Sequence, residues 1–142
     1  MKVSVQAQDF DAGAEIRALS RDPKVGAVAS FVGVVREVGM TLEHYPGMTE
    51  RALQKIVEEA RGRWQVLDCT VIHRHGALKP TDQIVLVVVA SAHRGDAFAA
   101  CEFIMDYLKT QAPFWKKEHR PGGAQWVEAR ASDDQAAQRW DK

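Results

Sequence analysis

The patterning of apolar residues predicts an α+β fold: a mixed or antiparallel sheet with helices packed mainly on one side. Two observations carry this. β-branched runs recur in close pairs, as hairpins would, and two long segments with apolar residues at three- and four-residue spacing lie between the pairs. A chain of 142 residues buries roughly two thirds of its unfolded surface without disulfides or metals. Residues 1–142 are read as one domain, with 131–142 as a polar C-terminal tail.

Each element follows from local signals. Val3 and Val5 alternate in a first strand. Asp11 is an N-cap candidate for a helix that places Ile16 and Leu19 on one side. VGAVASFVGVV, residues 25–35, is a long strand, and its glycines at 26 and 33 suit a bulge or a close backbone approach. A short break from Glu37 to Met40 leads into TLEHY, read as the returning arm of a hairpin. After the Pro46-Gly47 turn, Thr49 caps a helix with Ala52, Leu53, Ile56, Val57, Ala60 and Trp64 on its apolar side.

CTVIHRHG and IVLVVVASAH form an antiparallel pair joined by LKPTDQ. The second strand lacks alternation over 84–90, which predicts burial on both faces. A helix from Asp96 carries Phe98, Cys101, Ile104, Met105 and Leu108 in its apolar stripe and stops before Pro113. FWKKE is extended, RPGGA is a loop, QWVEA is a last strand, and the tail beyond it is a short docked helix or mobile.

Composition narrows the partners. Nineteen basic residues balance nineteen acidic ones, so bulk electrostatic capture of nucleic acid or a membrane surface is not expected and any cationic site must be local. The apolar run at 84–90 is far short of the ~20 residues that span a bilayer, and the N-terminus has no targeting pattern. Two cysteines, Cys69 and Cys101, read as packing residues in a reduced, cytoplasmic compartment. Dinucleotide, Walker, nucleophile-elbow and zincin motifs are absent, so no cofactor is expected.

The cations carry the functional signal. YLKTQAPFWKKE places Lys109 one turn from the end of its helix and Lys116 and Lys117 in the extended segment that follows. Successive residues of a strand point to opposite faces, so only one of that pair can face where Lys109 faces. Snorkelling at a core boundary is the plainer reading of Lys109, and a solvated strand that of the pair. In SAHRGD, His93 and Arg94 lie between a strand and a helix N-terminus, where backbone N–H groups and a guanidinium favour an anion. Arg36 and Arg130 each end a strand-like run. His73 and His75 share a strand face, but no third ligand accompanies them and no metal is expected.

FVGVVR, LEHYPGMTE, SAHR, MDYLKTQAPFWKKE and WVEAR, in this order, resemble the large, catalytic subunit of molybdopterin synthase over nearly the whole chain. The resemblance implies a hammerhead-like single domain and a sulfurtransferase of molybdenum cofactor biosynthesis. Such an enzyme converts cyclic pyranopterin monophosphate (precursor Z) to molybdopterin, taking two sulfurs from the C-terminal Gly-Gly thiocarboxylate of a small ubiquitin-like subunit. It further implies a homodimer carrying two small subunits, a heterotetramer. Carried onto this chain, Lys109 and Lys116 match the catalytic lysines. Arg36, His93, Arg94, Lys117, Glu118 and Arg130 match substrate-binding positions, with His93, Arg94 and Arg130 reaching the pocket from the opposite protomer. Phe31 and Met105 are candidate pocket walls.

Two features depart from the family pattern. Only EVGMT separates Arg36 from LEHY, where relatives carry a longer segment, and Val34 stands where lysine is common. The rival reading is a non-catalytic α+β dimer that binds an anion or nucleotide, or that docks the partner's tail as a scaffold.

Overall fold

The computed structural model describes residues 1–127 and 131–141. In chain order the elements are β1 (Lys2–Gln6), α1 (Ala12–Leu19), β2 (Ala27–Val34), β3 (Met40–His44), α2 (Met48–Arg63) and β4 (Asp68–Arg74). They continue with β5 (Gly76–Leu78), β6 (Gln83–Ser91), α3 (Arg94–Gln111), β7 (Phe114–Arg120), β8 (Gly123–Val127) and α4 (Ala131–Gln138). The strands form two four-stranded sheets, ordered β1-β4-β6-β2 and β5-β3-β7-β8. β1 runs parallel to β4 and the other pairs are antiparallel, so the α+β expectation holds with two sheets in place of one.

β6 explains where the core sits. Val85, Val87 and Val89 point to one side, where Leu53, Ile56, Val57 and Ala60 of α2 and Phe103 and Ile104 of α3 cover them. Leu86, Val88 and Ala90 point to the other, toward Leu19 of α1. Both sets are at most 2% exposed, which is why the segment reads as continuously apolar. Among the described residues, three helices thus lie on one side and α1 on the other. The polar tail is anchored through α4 and Trp140, which meets Trp64 and Phe103 edge-on and donates its indole N–H to Asp106.

The glycines of the long strand serve the two purposes expected. A Cβ at Gly26 would stand 2.2 Å from the Ala92 carbonyl oxygen, and at Gly33 the register against β6 shifts by a bulge.

Three expectations are corrected. β2 and β3 do not form a hairpin: Val35 donates to Asp82 O and accepts from Thr81 N, so the chain leaves the edge of β6 there and crosses to the second sheet. The crossing uses a left-handed residue, Glu37 (φ 68°), and β3 pairs with β5 and β7. Gly47, not Thr49, is the N-cap of α2. Thr49 lies inside the helix, fully buried, its hydroxyl accepting from Tyr45 N and donating to Pro113 O. Phe98 is 65% exposed and outside the stripe, because α3 is covered by the sheet, α2 and α4, leaving one open side. At about 100° per residue, Phe98 and Lys109 fall together on that side.

Candidate active site

A cavity of about 550 Å³ opens between the two sheets, beside the last turn of α3. Its construction starts at Pro113, which stops α3 and whose carbonyl is held 2.9 Å from the Thr49 hydroxyl. The chain then becomes β7, and alternation puts Phe114, Lys116, Glu118 and Arg120 on one face, all against the cavity. Their register neighbours on β3, Leu42 beside Lys116 and Met40 beside Glu118, line it as well. Lys109 enters from α3, Arg36 from the crossing after β2, and Phe31 and His73 from the first sheet. The cavity therefore has aromatic and aliphatic walls with cations from three separate segments.

Lys109, Lys116, Arg36, Glu118 and Phe31 are brought together here. Lys117 is not: it lies on the other face of β7, with its ammonium 5.4 Å from the Trp126 ring centroid. Met105 is 8% exposed within the main core and does not line the cavity. His93 and Arg94 are exposed at the opposite end of α3 from Lys109, fifteen residues or about 23 Å along the helix axis, and do not line the cavity of their own protomer. Arg130 lies outside the described residues.

His73 is one of the wall residues that the sequence does not single out for this site. It is 5% exposed and stacks on Phe114 at 3.8 Å between centroids, with the planes 20° apart. Nδ1 lies 2.8 Å from the Arg74 carbonyl oxygen, so Nδ1 carries the hydrogen and Nε2 keeps its lone pair. Burial pushes the imidazole down to about 4, with the charges of Lys109, His44 and His75 acting in the same direction and the Arg74 hydrogen bond opposing them. It is therefore a neutral, rigid ring that holds β7 against β4. The alternating His-Arg-His was the available signal, but His75 sits past the end of β4 and pairs with His44 at 4.3 Å. No group of three metal-ligating residues occurs among the described residues.

Charge in the cavity is mixed. Arg36, Lys109, Lys116 and Arg120 face the carboxylates Glu37, Glu118 and Asp133. Glu118 is engaged by Arg120, with Oε2 at 2.5 Å from Nη2 and 2.7 Å from Nε. The thiols are elsewhere: burial pushes Cys69 up to about 12 and Cys101 up to about 11, so neither is a thiolate at neutral pH. Any sulfur the site handles must arrive with a substrate.

Fold and cavity together define an α+β protein with a cleft suited to a flat anion and with two lysines at hand to interact with it. The chain belongs to the family described as MoaE protein, whose model matches residues 5–111. The molybdopterin synthase catalytic subunit of Ralstonia nicotianae is 60% identical over 146 aligned positions, covering 97% of this chain and 83% of that protein. The Escherichia coli protein of the same name is 56% identical, covering 98% of this chain and 97% of its own length. An alignment of 146 positions exceeds the 142 residues present here, so the Ralstonia protein has residues without a counterpart in this chain. Among solved structures, the molybdopterin biosynthesis MoaE protein of Burkholderia ambifaria superposes with a TM-score of 0.86 at 58% identity, covering 99% of this chain and 98% of that one. Molybdopterin synthase from Staphylococcus aureus gives 0.82 at 30% identity, covering 87% and 95%.

Proposed function

We propose that in this chain, a catalytic subunit of molybdopterin synthase, Lys109 and Lys116 carry the sulfur-transfer chemistry and the surrounding cations hold precursor Z. The observation that supports this most directly is the convergence of Lys109 and Lys116 on one aromatic-walled cavity from two different elements. The ring of the pterin lies against apolar walls such as Phe31, and Arg36 takes the phosphate as a charge-assisted partner. The sulfur is the nucleophile and belongs to the thiocarboxylate of the small subunit, whose tail enters beside Lys109. An ammonium there stabilises the oxyanion that develops when sulfur adds, or protonates the oxygen that leaves, and water then cleaves the acyl–sulfur bond to release the tail as a carboxylate.

His93, Arg94 and Arg130 complete the pocket from a second protomer. The length of α3 supports this for His93 and Arg94, since neither reaches the cavity of its own chain. A homodimer with one small subunit at each end then has two complete sites. A structure from Helicobacter pylori is of a complex between subunits 1 and 2 of molybdopterin-converting factor, and we assign the corresponding small ubiquitin-like partner to this chain. No helix among the described residues is long and apolar enough to cross a membrane, and we place the assembly in the cytoplasm, where thiocarboxylate donors and buried free thiols remain reduced.

Reconstitution tests the assignment: purified chain, thiocarboxylated small subunit and precursor Z, with molybdopterin measured as its fluorescent oxidation product. Product is expected with the wild type and absent with Lys109→Ala, whose melting temperature stays within about 2 °C because the residue is exposed. Full turnover by Lys109→Ala removes that lysine from the chemistry. Tail binding without turnover by the wild type supports the scaffold reading instead.

A further inference from the structure

We propose that Arg120 is an additional phosphate-binding residue of this cavity and that Glu118 serves it as a positioning residue. The inference rests on the synthase reading above and adds a group to its substrate site. On β7 the side chains of Lys116, Glu118 and Arg120 follow one another along the cavity face. At about 3.3 Å per residue, the Cα of Arg120 stands roughly 13 Å along the strand from that of Lys116, and its guanidinium folds back onto Glu118 between them. Arg120 is therefore anchored beyond Lys116 along the same face, at the position of Glu118.

The geometry of the ion pair indicates what Arg120 has left to offer. Nε and Nη2 both engage Oε2 of Glu118, at 2.7 and 2.5 Å, which fixes the plane of the guanidinium. The end-on pair of N–H groups, one from Nη1 and one from Nη2, remains directed away from the carboxylate, in the spacing that grips two oxygens of a phosphate. Glu118 is the inner member of the pair, its side chain 14% exposed against 51% for Arg120. Across the β7–β8 ladder the register partner of Arg120 is Gly123, so no side chain on that strand covers it. Glu118 spends its charge on Arg120 and is poorly suited to approach an anionic substrate itself.

The charge balance of the walls gives a second reason. Four cations and three carboxylates line the cavity among the described residues. Without Arg120 the two signs would cancel, and the described walls would have no net attraction for an anion.

Two measurements test this together. In steady-state turnover with varied precursor Z, Arg120→Ala raises KM about tenfold, well beyond any change in kcat, as loss of a charge-assisted contact predicts. Arg120→Lys recovers only part of this, because a lysine lacks the fork, and Glu118→Gln gives a smaller rise in KM. Separately, the Nε–H resonance of Arg120 in the wild-type protein, assigned by its absence in Arg120→Lys, shifts on titration with inorganic phosphate. A KM within twofold of wild type for Arg120→Ala, or a resonance that phosphate does not move, overturns the proposal. A wild type without turnover whose Arg120 resonance still responds to phosphate retires the synthase reading and leaves the anion site standing.

Discussion

Replacing His73 by phenylalanine tests whether the site is held together by a neutral histidine. The folded imidazole is pushed down to about 4 from an ordinary value near 6.5. The unfolded chain therefore binds more protons between those limits. The stability contributed by the neutral ring is fully present above pH ~6.5 and is lost as pH falls toward 4. The difference between those two values corresponds to roughly 3 kcal/mol across that window. Unfolding entropy of about 2.1 cal/mol/K per residue gives a chain of this size about 0.3 kcal/mol per degree, so the wild type loses roughly 10 °C of melting temperature from this source. Phenylalanine keeps the stack on Phe114 and removes the titration. It also removes the donor to the Arg74 carbonyl, at a cost of about 1 to 3 kcal/mol. The variant should therefore be less stable than wild type at pH 7, and the gap should close or reverse by pH 4. Melting curves at half-unit pH steps and fixed protein concentration measure this. A gap that stays constant from pH 7 to pH 4 refutes the claim that His73 is folded in its neutral form.

Thr49→Val leaves Pro113 O and Tyr45 N without their buried partner; a loss of about 2 to 4 kcal/mol, or roughly 7 to 13 °C, is expected in thermal unfolding, with kcat/KM falling as β7 loses its anchor. A melting temperature within 2 °C of wild type would show that the tie is dispensable. Lys117→Ala, on the face of β7 away from the cavity, should leave both kcat and KM within about twofold of wild type; a tenfold rise in KM would return Lys117 to the substrate site.

Much of this architecture was legible because local periodicity decided it. The doubly buried β6, the extended FWKKE and the stop of α3 at Pro113 all follow from residue type and spacing. Alternation alone implied that only one of Lys116 and Lys117 could share the side of Lys109, and Lys116 is the one that does. What failed was the choice of partners across long sequence separations. FVGVV and TLEHY look like a hairpin because the break between them is short, yet the bonds of Val35 to Thr81 and Asp82 separate them into different sheets. The stacking partner of His73, Phe114, is forty-one residues away, and nothing in either neighbourhood names the other. RPGGA has the composition of a loop, yet β7 runs through Arg120 and carries the alternation with it.

The crossing between the sheets is also a tether. Val35 is fixed beside the start of β6 and Met40 begins β3, with five backbone steps between them. A fully stretched chain covers at most about 3.6 Å per step, so these two points can never be more than about 18 Å apart. The two sheets are thereby leashed at this edge: they cannot part further without breaking the bonds of Val35 or unpairing β3 from β5 and β7.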